Sequence, residues 1–234
     1  MYDACLDRTP YLVMQNLSLS VAGKRLIDVP ALELSQSGIT AIMGPNGAGK
    51  SLLLRLLHGL ETADSGTIDL QTSRKAQALV MQRPVLLRRS TAANLRFVLK
   101  VRGRPLNNVD QLLARVGLAR CSGTPARRLS GGEQQRLSIA QALATDPEVL
   151  LLDEPTASLD IASTRLIEDI LVNIASEGTR VVIVTHDAQQ AKRLAQDIVF
   201  MSAGQVIEHA AASSFFSAPK TAHAQAYLGG RLVE

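Results

Sequence analysis

The sequence predicts an α/β fold: a mostly parallel sheet wrapped by helices, an N-terminal antiparallel β subdomain, and an inserted α-helical subdomain. Three observations predict it. Short apolar runs such as "GITAIM" and "EVLLLD" have the length of buried strands and are bounded by turn residues. Segments with helical spacing follow them, so strands and helices alternate. Between residues 83 and 145 the strand signals stop, and helical patterns follow one another.

The elements run in order from the N-terminal side. Residues 11–20, "YLVMQNLSLS", alternate with the period of a strand, and Ala22, Gly23 and Lys24 punctuate a hairpin. "ALELSQS" alternates again. "GITAIMG" reads as a buried strand, and "SLLLRLLHGL" as a helix stopped by Gly59. A polar stretch leads to the strand pattern "AQALVMQ". Then "TAANLRFVLKV", "VDQLLARVGL" and "GGEQQRLSIAQALA" carry helical periodicity. "EVLLLDEP" returns to strand, "IASTRLIEDILVNIAS" to helix, "RVVIVT" to strand and "AQQAKRLA" to helix. "DIVFMSAGQVIEH" is a final hairpin turning at Ala203 and Gly204. One domain over 1–234 is expected, its core formed by 1–82 and 146–234 and its helical subdomain by 83–145.

At 234 residues and 46% hydrophobic content the chain can bury a sizeable core. Aromatic residues are only 3% and Trp is absent, so base stacking on aromatic platforms is a poor general explanation for what the chain does. Cys5 and Cys121 make neither a disulfide framework nor a metal knuckle, which fits a reducing compartment. The start "MYDACLDRTPYLV" has no signal-peptide apolar run, and no stretch approaches the roughly 18 apolar residues of a bilayer span. A cytosolic chain is expected. Net charge is +4, unevenly spread. From Gln71 to Val109 there is no acid, yet nine cations lie there: Arg74, Lys75, Arg83, Arg88, Arg89, Arg96, Lys100, Arg102 and Arg104. Such a run is a solvated face, a surface for acidic headgroups or a partner at the membrane, or a nucleic-acid contact.

"GPNGAGKS", residues 44–51, fits G-x-x-x-x-G-K-[ST] and stands between a strand and a helix, where that chemistry needs it. Gly44, Gly47 and Gly49 allow a tight path whose amides point at phosphate oxygens, with Pro45, Asn46 and Ala48 completing the loop. Helix dipole, Lys50 charge and Ser51 hydroxyl then serve the phosphates and Mg²⁺. Farther on, Asp153 and Glu154 end the strand "VLLLD", suited to hold the Mg²⁺ shell and to polarise an attacking water. Together these motifs predict a nucleoside triphosphatase. In "LSGGEQQR", residues 129–136, Ser130 can cap the following helix, while Gly131 and Gly132 clear space for another molecule. A second phosphate-binding helix start makes physical sense if it completes the site of another copy, so that two subunits sandwich two ATP molecules.

With these motifs on the page, the sequence resembles the ATP-binding cassette (ABC) ATPases, a P-loop NTPase family, over nearly its whole length. The resemblance identifies a glutamine loop at Gln82, the signature at 129–136, a D-loop "SLD" ending at Asp160, and a switch histidine, His186, in "THD". It implies that Gln82 senses Mg²⁺, that Asp160 shapes the dimer interface, and that His186 contacts the γ-phosphate and aligns Glu154. It also implies ATP and Mg²⁺ as cofactors, a homodimer, and a peripheral place on the inner face of the membrane. Integral-membrane permease subunits and, indirectly, a substrate-binding protein would be partners; nucleic acid would not. Two departures stand out. Val21 occupies the place where the family usually puts an adenine-stacking aromatic residue, and Leu52 follows Ser51 where threonine is common.

"MQRPVLLRRSTAANLRF", "LIDVPALEL" and the tail "AYLGGRLVE" look like the compact ATPases of tungstate-type or related molybdate importers. No further regulatory domain is expected after the terminal hairpin. The alternatives are an importer ATPase for phosphate or an amino acid, or an ABC ATPase of Fe–S cluster assembly. Scarce aromatics and a complete hydrolytic set speak against a nucleic-acid binder.

Overall fold

The computed structural model describes residues 11–231. Cys5, the N-terminal stretch read as lacking a signal peptide, and residues 232–234 of the tail lie outside the described residues. In chain order the elements are β1 (Leu12–Val21), β2 (Lys24–Leu34), β3 (Ile39–Met43), α1 (Lys50–His58), β4 (Ser65–Leu70) and β5 (Gln77–Val80). There follow α2 (Thr91–Val101), α3 (Val109–Arg115), α4 (Gly131–Leu143), β6 (Val149–Asp153), α5 (Ile161–Ser176) and β7 (Arg180–Val184). The last are α6 (Ala188–Leu194), β8 (Asp197–Ser202), β9 (Gln205–Ala211), α7 (Ala212–Ser217) and α8 (Ala222–Leu228). Among the described residues they gather into two compact units, one formed by 11–74 with 186–231 and the other by 75–185.

In the first unit β2, β1 and β4 form an antiparallel sheet. Leu12 and Met14 are buried, then Leu17 and Leu19, so the inward alternation slips by one at Asn16. Asn16 takes φ 50, a left-handed conformation that Asn tolerates. The β1–β2 turn falls at Ala22 and Gly23, as the sequence predicts. β4 escaped the sequence reading because most of "SGTIDL" is exposed, leaving no period to detect. It exists through its pairing with β1.

β3 runs parallel to β8, and β8 turns through Ala203–Gly204 into antiparallel β9. α1 buries Leu53, Leu54, Leu56 and Leu57 and stops at Gly59, whose left-handed backbone (φ 82) lets its N–H reach the Arg55 and Leu56 carbonyls. α7 and α8 were also unpredicted: "AASSFFSAPKTAHAQAYL" is mostly small and polar. They are anchored by ring packing, Phe200 lying 5.8 Å from Phe215 and 5.2 Å from Tyr227 between centroids.

In the second unit β5, β6 and β7 are parallel neighbours, with Val80 level with Leu152 and Leu152 level with Ile183. Both faces of β6 and β7 are buried, which is why they read as unbroken apolar runs. α2, α3 and α4 pack on one another, burying Leu95, Leu99, Leu113 and Leu137. Buried Asn94 receives the Leu87 N–H and donates to the Leu87, Arg89 and Ser90 carbonyls, fixing the loop that holds Arg88 and Arg89 outward. All nine cations of the acid-free run are exposed.

Candidate functional site

The first unit supplies the phosphate loop. Gly44 leaves β3 with φ 145, and a β-carbon there would lie 2.0 Å from the Met201 carbonyl oxygen of β8. Only glycine lets the loop pass that close to the sheet. The loop also rests on the β8–β9 turn: the Gly204 N–H donates to the Ala48 carbonyl at 3.0 Å. Gly47 (φ 81) faces open space. Lys50 is buried and its Nζ donates to the Gly44 and Pro45 carbonyls at 2.8 and 2.9 Å, so the ammonium spans the loop. α1 begins at Lys50, one residue before the predicted start, and its N-cap Gly49 offers no side chain to its first amides. Those N–H groups and the helix dipole favour an anion. Ser51 sits half-buried in the first turn, and Asn46 is exposed.

His186 belongs to this unit and is exposed beside Asp187, the cap of α6, whose carboxylate accepts from the Gln189 and Gln190 amides. The His186 carbonyl accepts a hydrogen bond from the Tyr227 hydroxyl of α8 at 3.1 Å. Val21 ends β1 at the hairpin tip and is 55% exposed.

The second unit carries the acids. Asp153 closes β6 and is 6% exposed. Glu154 follows with φ 45, a left-handed backbone unusual for glutamate, held by its N–H to the Val184 carbonyl at 3.0 Å. Strain of this kind gathers at working sites because the surrounding structure must hold it. Gln82 is exposed just past β5. The preceding carbonyl, Met81, accepts from Gln135 Nε2 of α4 at 3.2 Å, so α4 is tied to the glutamine loop.

Ser130 caps α4 as the sequence suggested. Its Oγ accepts from the Glu133 N–H at 3.3 Å, and its own N–H donates to Glu133 Oε2 at 2.8 Å, a reciprocal capping box. The Ser130 amide, against the cost of burial, holds the Glu133 carboxyl below its ordinary range. Burial, with the Glu133 charge, pushes the Cys121 thiol up; its Sγ lies 3.7 Å from Glu133 Oε1. Asp160 caps α5, accepting from the Ser163 amide and hydroxyl, both at 2.8 Å, and these bonds hold its carboxyl low.

Gly132 also has a packing role within the chain. It is buried, and a β-carbon on it would lie 2.6 Å from Ser163 Oγ and 2.7 Å from Ser163 Cβ. Its bareness lets α4 pack against Ser163 of α5 within the chain. Gly131 is exposed, and its β-carbon would meet only Leu159 at 3.5 Å. Sequence reasoning missed Ser163, Gln135 and Tyr227. Gln135 is the one with a local signal, a polar residue at a buried position of an amphipathic helix.

A glycine loop bridged by a lysine at a helix start, and an acid pair closing a buried parallel strand, define a P-loop nucleotide-binding protein. The chain belongs to the ABC transporter family, as one of its ATP-binding, ATP-hydrolysing subunits: the family's model matches residues 27–157. It is 38% identical over 216 residues to the tungstate uptake system ATP-binding protein TupC of Peptoclostridium acidaminophilum, covering 88% of this chain and 99% of that protein. It is 36% identical over 248 residues to the phosphate import ATP-binding protein PstB 2 of Natronomonas pharaonis, covering 95% and 87%. Among solved structures, cbiO1 of Clostridium perfringens, part of the ABC transporter complex cbiONQ, superposes with TM-score 0.83 at 27% identity over 89% of this chain and 91% of that one.

Proposed function

We propose that this chain hydrolyses ATP to drive uptake of tungstate or a related oxyanion through a separate permease. The observation that carries the oxyanion is the near full-length 38% identity to a tungstate uptake ATPase. Phosphate is the second reading, favoured by the 36% identity to a phosphate import ATPase.

The roles follow from the chemistry of each group. Loop amides of 44–51 and the first turn of α1 hold the β- and γ-phosphates, and Lys50 swings from its carbonyls to their charge. Ser51, Gln82 and nearly buried Asp153 carry the hard oxygen donors that would hold Mg²⁺, which would supply charge neutralisation at the phosphates. Glu154 takes the proton of the attacking water, and His186 hydrogen-bonds the γ-phosphate and aligns Glu154.

Ser130 and exposed Gly131 open α4 toward the γ-phosphate held by a second copy, so a homodimer completes both sites. Asp160 stands at that interface. ATP then favours the closed pair, and hydrolysis releases it. The fixed loop with Arg88 and Arg89, and exposed Val85 (81%) and Val101 (68%), support an interaction face for the permease. No helix among the described residues is long and apolar enough to cross a membrane. The chain would sit peripherally on the cytoplasmic face and serve an external substrate-binding protein only indirectly.

The test has two arms. Cells with and without this chain are assayed for tungstate, molybdate and phosphate accumulation; phosphate uptake alone would move the assignment to the second reading. In the purified protein, Glu154→Gln should keep ATP binding, trap a dimer by light scattering, and lower turnover at least about 100-fold. Normal turnover would remove Glu154 from the proton-transfer role.

A further inference from the structure

Outside the motifs, a contact from α8 reaches His186 of the proposed machinery across a long stretch of chain. The Tyr227 hydroxyl on α8 donates to the His186 main-chain carbonyl at 3.1 Å, across 41 residues of sequence. That carbonyl precedes Asp187, whose side chain already fixes the start of α6. The peptide after His186 is thus held from both directions: by the α6 cap along the chain and by Tyr227 from outside it.

Tyr227 is itself held at both ends. Its ring packs on Phe200 of β8, centroids 5.2 Å apart and tilted by 51°. The start of α8 is clasped by Glu208, a carboxylate of β9 only 7% exposed. Glu208 accepts from the Lys220 and Thr221 amides at 3.0 to 3.1 Å and from the Thr221 hydroxyl at 3.0 Å. The Thr221 oxygen in turn accepts from the Ala224 N–H at 3.2 Å, capping α8. A buried charge with this many donors is a fixed anchor. The Phe200 ring alone would account for a phenylalanine at 227; the hydroxyl's partner is the His186 carbonyl.

We infer that Tyr227 is a positioning residue for ATP hydrolysis, acting through the His186 backbone, and that the Glu208–Thr221 clasp sets where Tyr227 stands. This rests on the proposed role of His186 at the γ-phosphate. Rotating the 186–187 peptide would carry the imidazole off its line, whereas the phosphate loop that binds ATP would be untouched. The effect therefore belongs in kcat and not in KM for ATP.

Tyr227→Phe isolates the hydroxyl, because the ring and its packing on Phe200 remain. Losing one such orienting bond should lower kcat of the full chain about 3- to 10-fold. KM for ATP should hold within about two-fold and Tm within about 2 °C. Thr221→Val, which loosens the clasp at a distance, should give the same signature at smaller amplitude. Unchanged kcat in Tyr227→Phe overturns the inference, as does a rate loss no larger than the loss of folded protein by circular dichroism. His186→Ala is measured alongside. If it retains full turnover, the reading of His186 fails. If it collapses turnover while Tyr227→Phe does not change it, the inference about Tyr227 fails alone.

Discussion

Gly132→Ala tests how the signature helix is seated. The added methyl would lie 2.7 Å from Ser163 Cβ and 2.6 Å from Ser163 Oγ, against about 3.5–4.0 Å for an ordinary carbon contact. The hydroxyl can rotate away only by leaving its 2.8 Å bond to Asp160 Oδ2. The Ser163 β-carbon cannot rotate away at all, so the α4 and α5 backbones must part by roughly 1 Å. Overpacking of this kind costs about 1–3 kcal/mol, and the lost hydrogen bond about 1 kcal/mol more. For a chain of this size that is a Tm fall of about 4–16 °C, read by differential scanning calorimetry. Ser163→Gly removes both clashing atoms. On its own it costs about 1–2 kcal/mol in helix propensity and hydrogen bonding. Combined with Gly132→Ala it should recover about 1–3 kcal/mol of the summed cost. Strict additivity, within about 0.5 kcal/mol, would refute the steric argument. Gly131→Ala is the control: its methyl meets one ordinary contact at 3.5 Å, so Tm should hold, and any fall in turnover there would come from the face opened to the second copy.

Two further outcomes follow from the first unit. Gly44→Ala combines a 2.0 Å approach to the Met201 carbonyl oxygen with φ 145, so it should destabilise by about 2–5 kcal/mol in urea titration; a loss under about 1 kcal/mol would mean the loop has another path. Burial opposes the Glu208 charge, but the Lys220 and Thr221 amides and the Thr221 hydroxyl outweigh it and leave its carboxyl below the ordinary range. A folded value below the unfolded one stabilises above the unfolded pKa and is lost as pH falls through the folded one. The α8 clasp should therefore hold at neutral pH and open only as pH falls below the ordinary glutamate range. Hydrogen exchange over 219–228 would show this, and Glu208→Gln should flatten that pH dependence.

The motif residues were legible because each is tied to its neighbours. A capping box needs Ser130 and Glu133 three apart, a phosphate loop needs its glycines and lysine within eight residues, and a buried parallel strand reads as an unbroken apolar run. Such interactions span a turn or two of backbone, so spacing records them. The turns at Ala22–Gly23 and Ala203–Gly204, the stop at Gly59 and the bounds of α2 and α5 fall in the same class.

Other features have no local period. β4 is largely exposed and exists because β1 pairs with it. α7 and α8 are small-residue segments held by Phe200 and by Glu208. Gly132 read as space for a partner; only the packing shows that Ser163 lies against it. Tyr227 read as a residue of the tail, until the fold brought its hydroxyl to His186. By itself the sequence determined the chemistry the chain carries, because catalytic groups are encoded by type and short spacing. Tertiary structure alone decided which remote side chains seat those groups, because contact between distant segments depends on how helices and sheets pack.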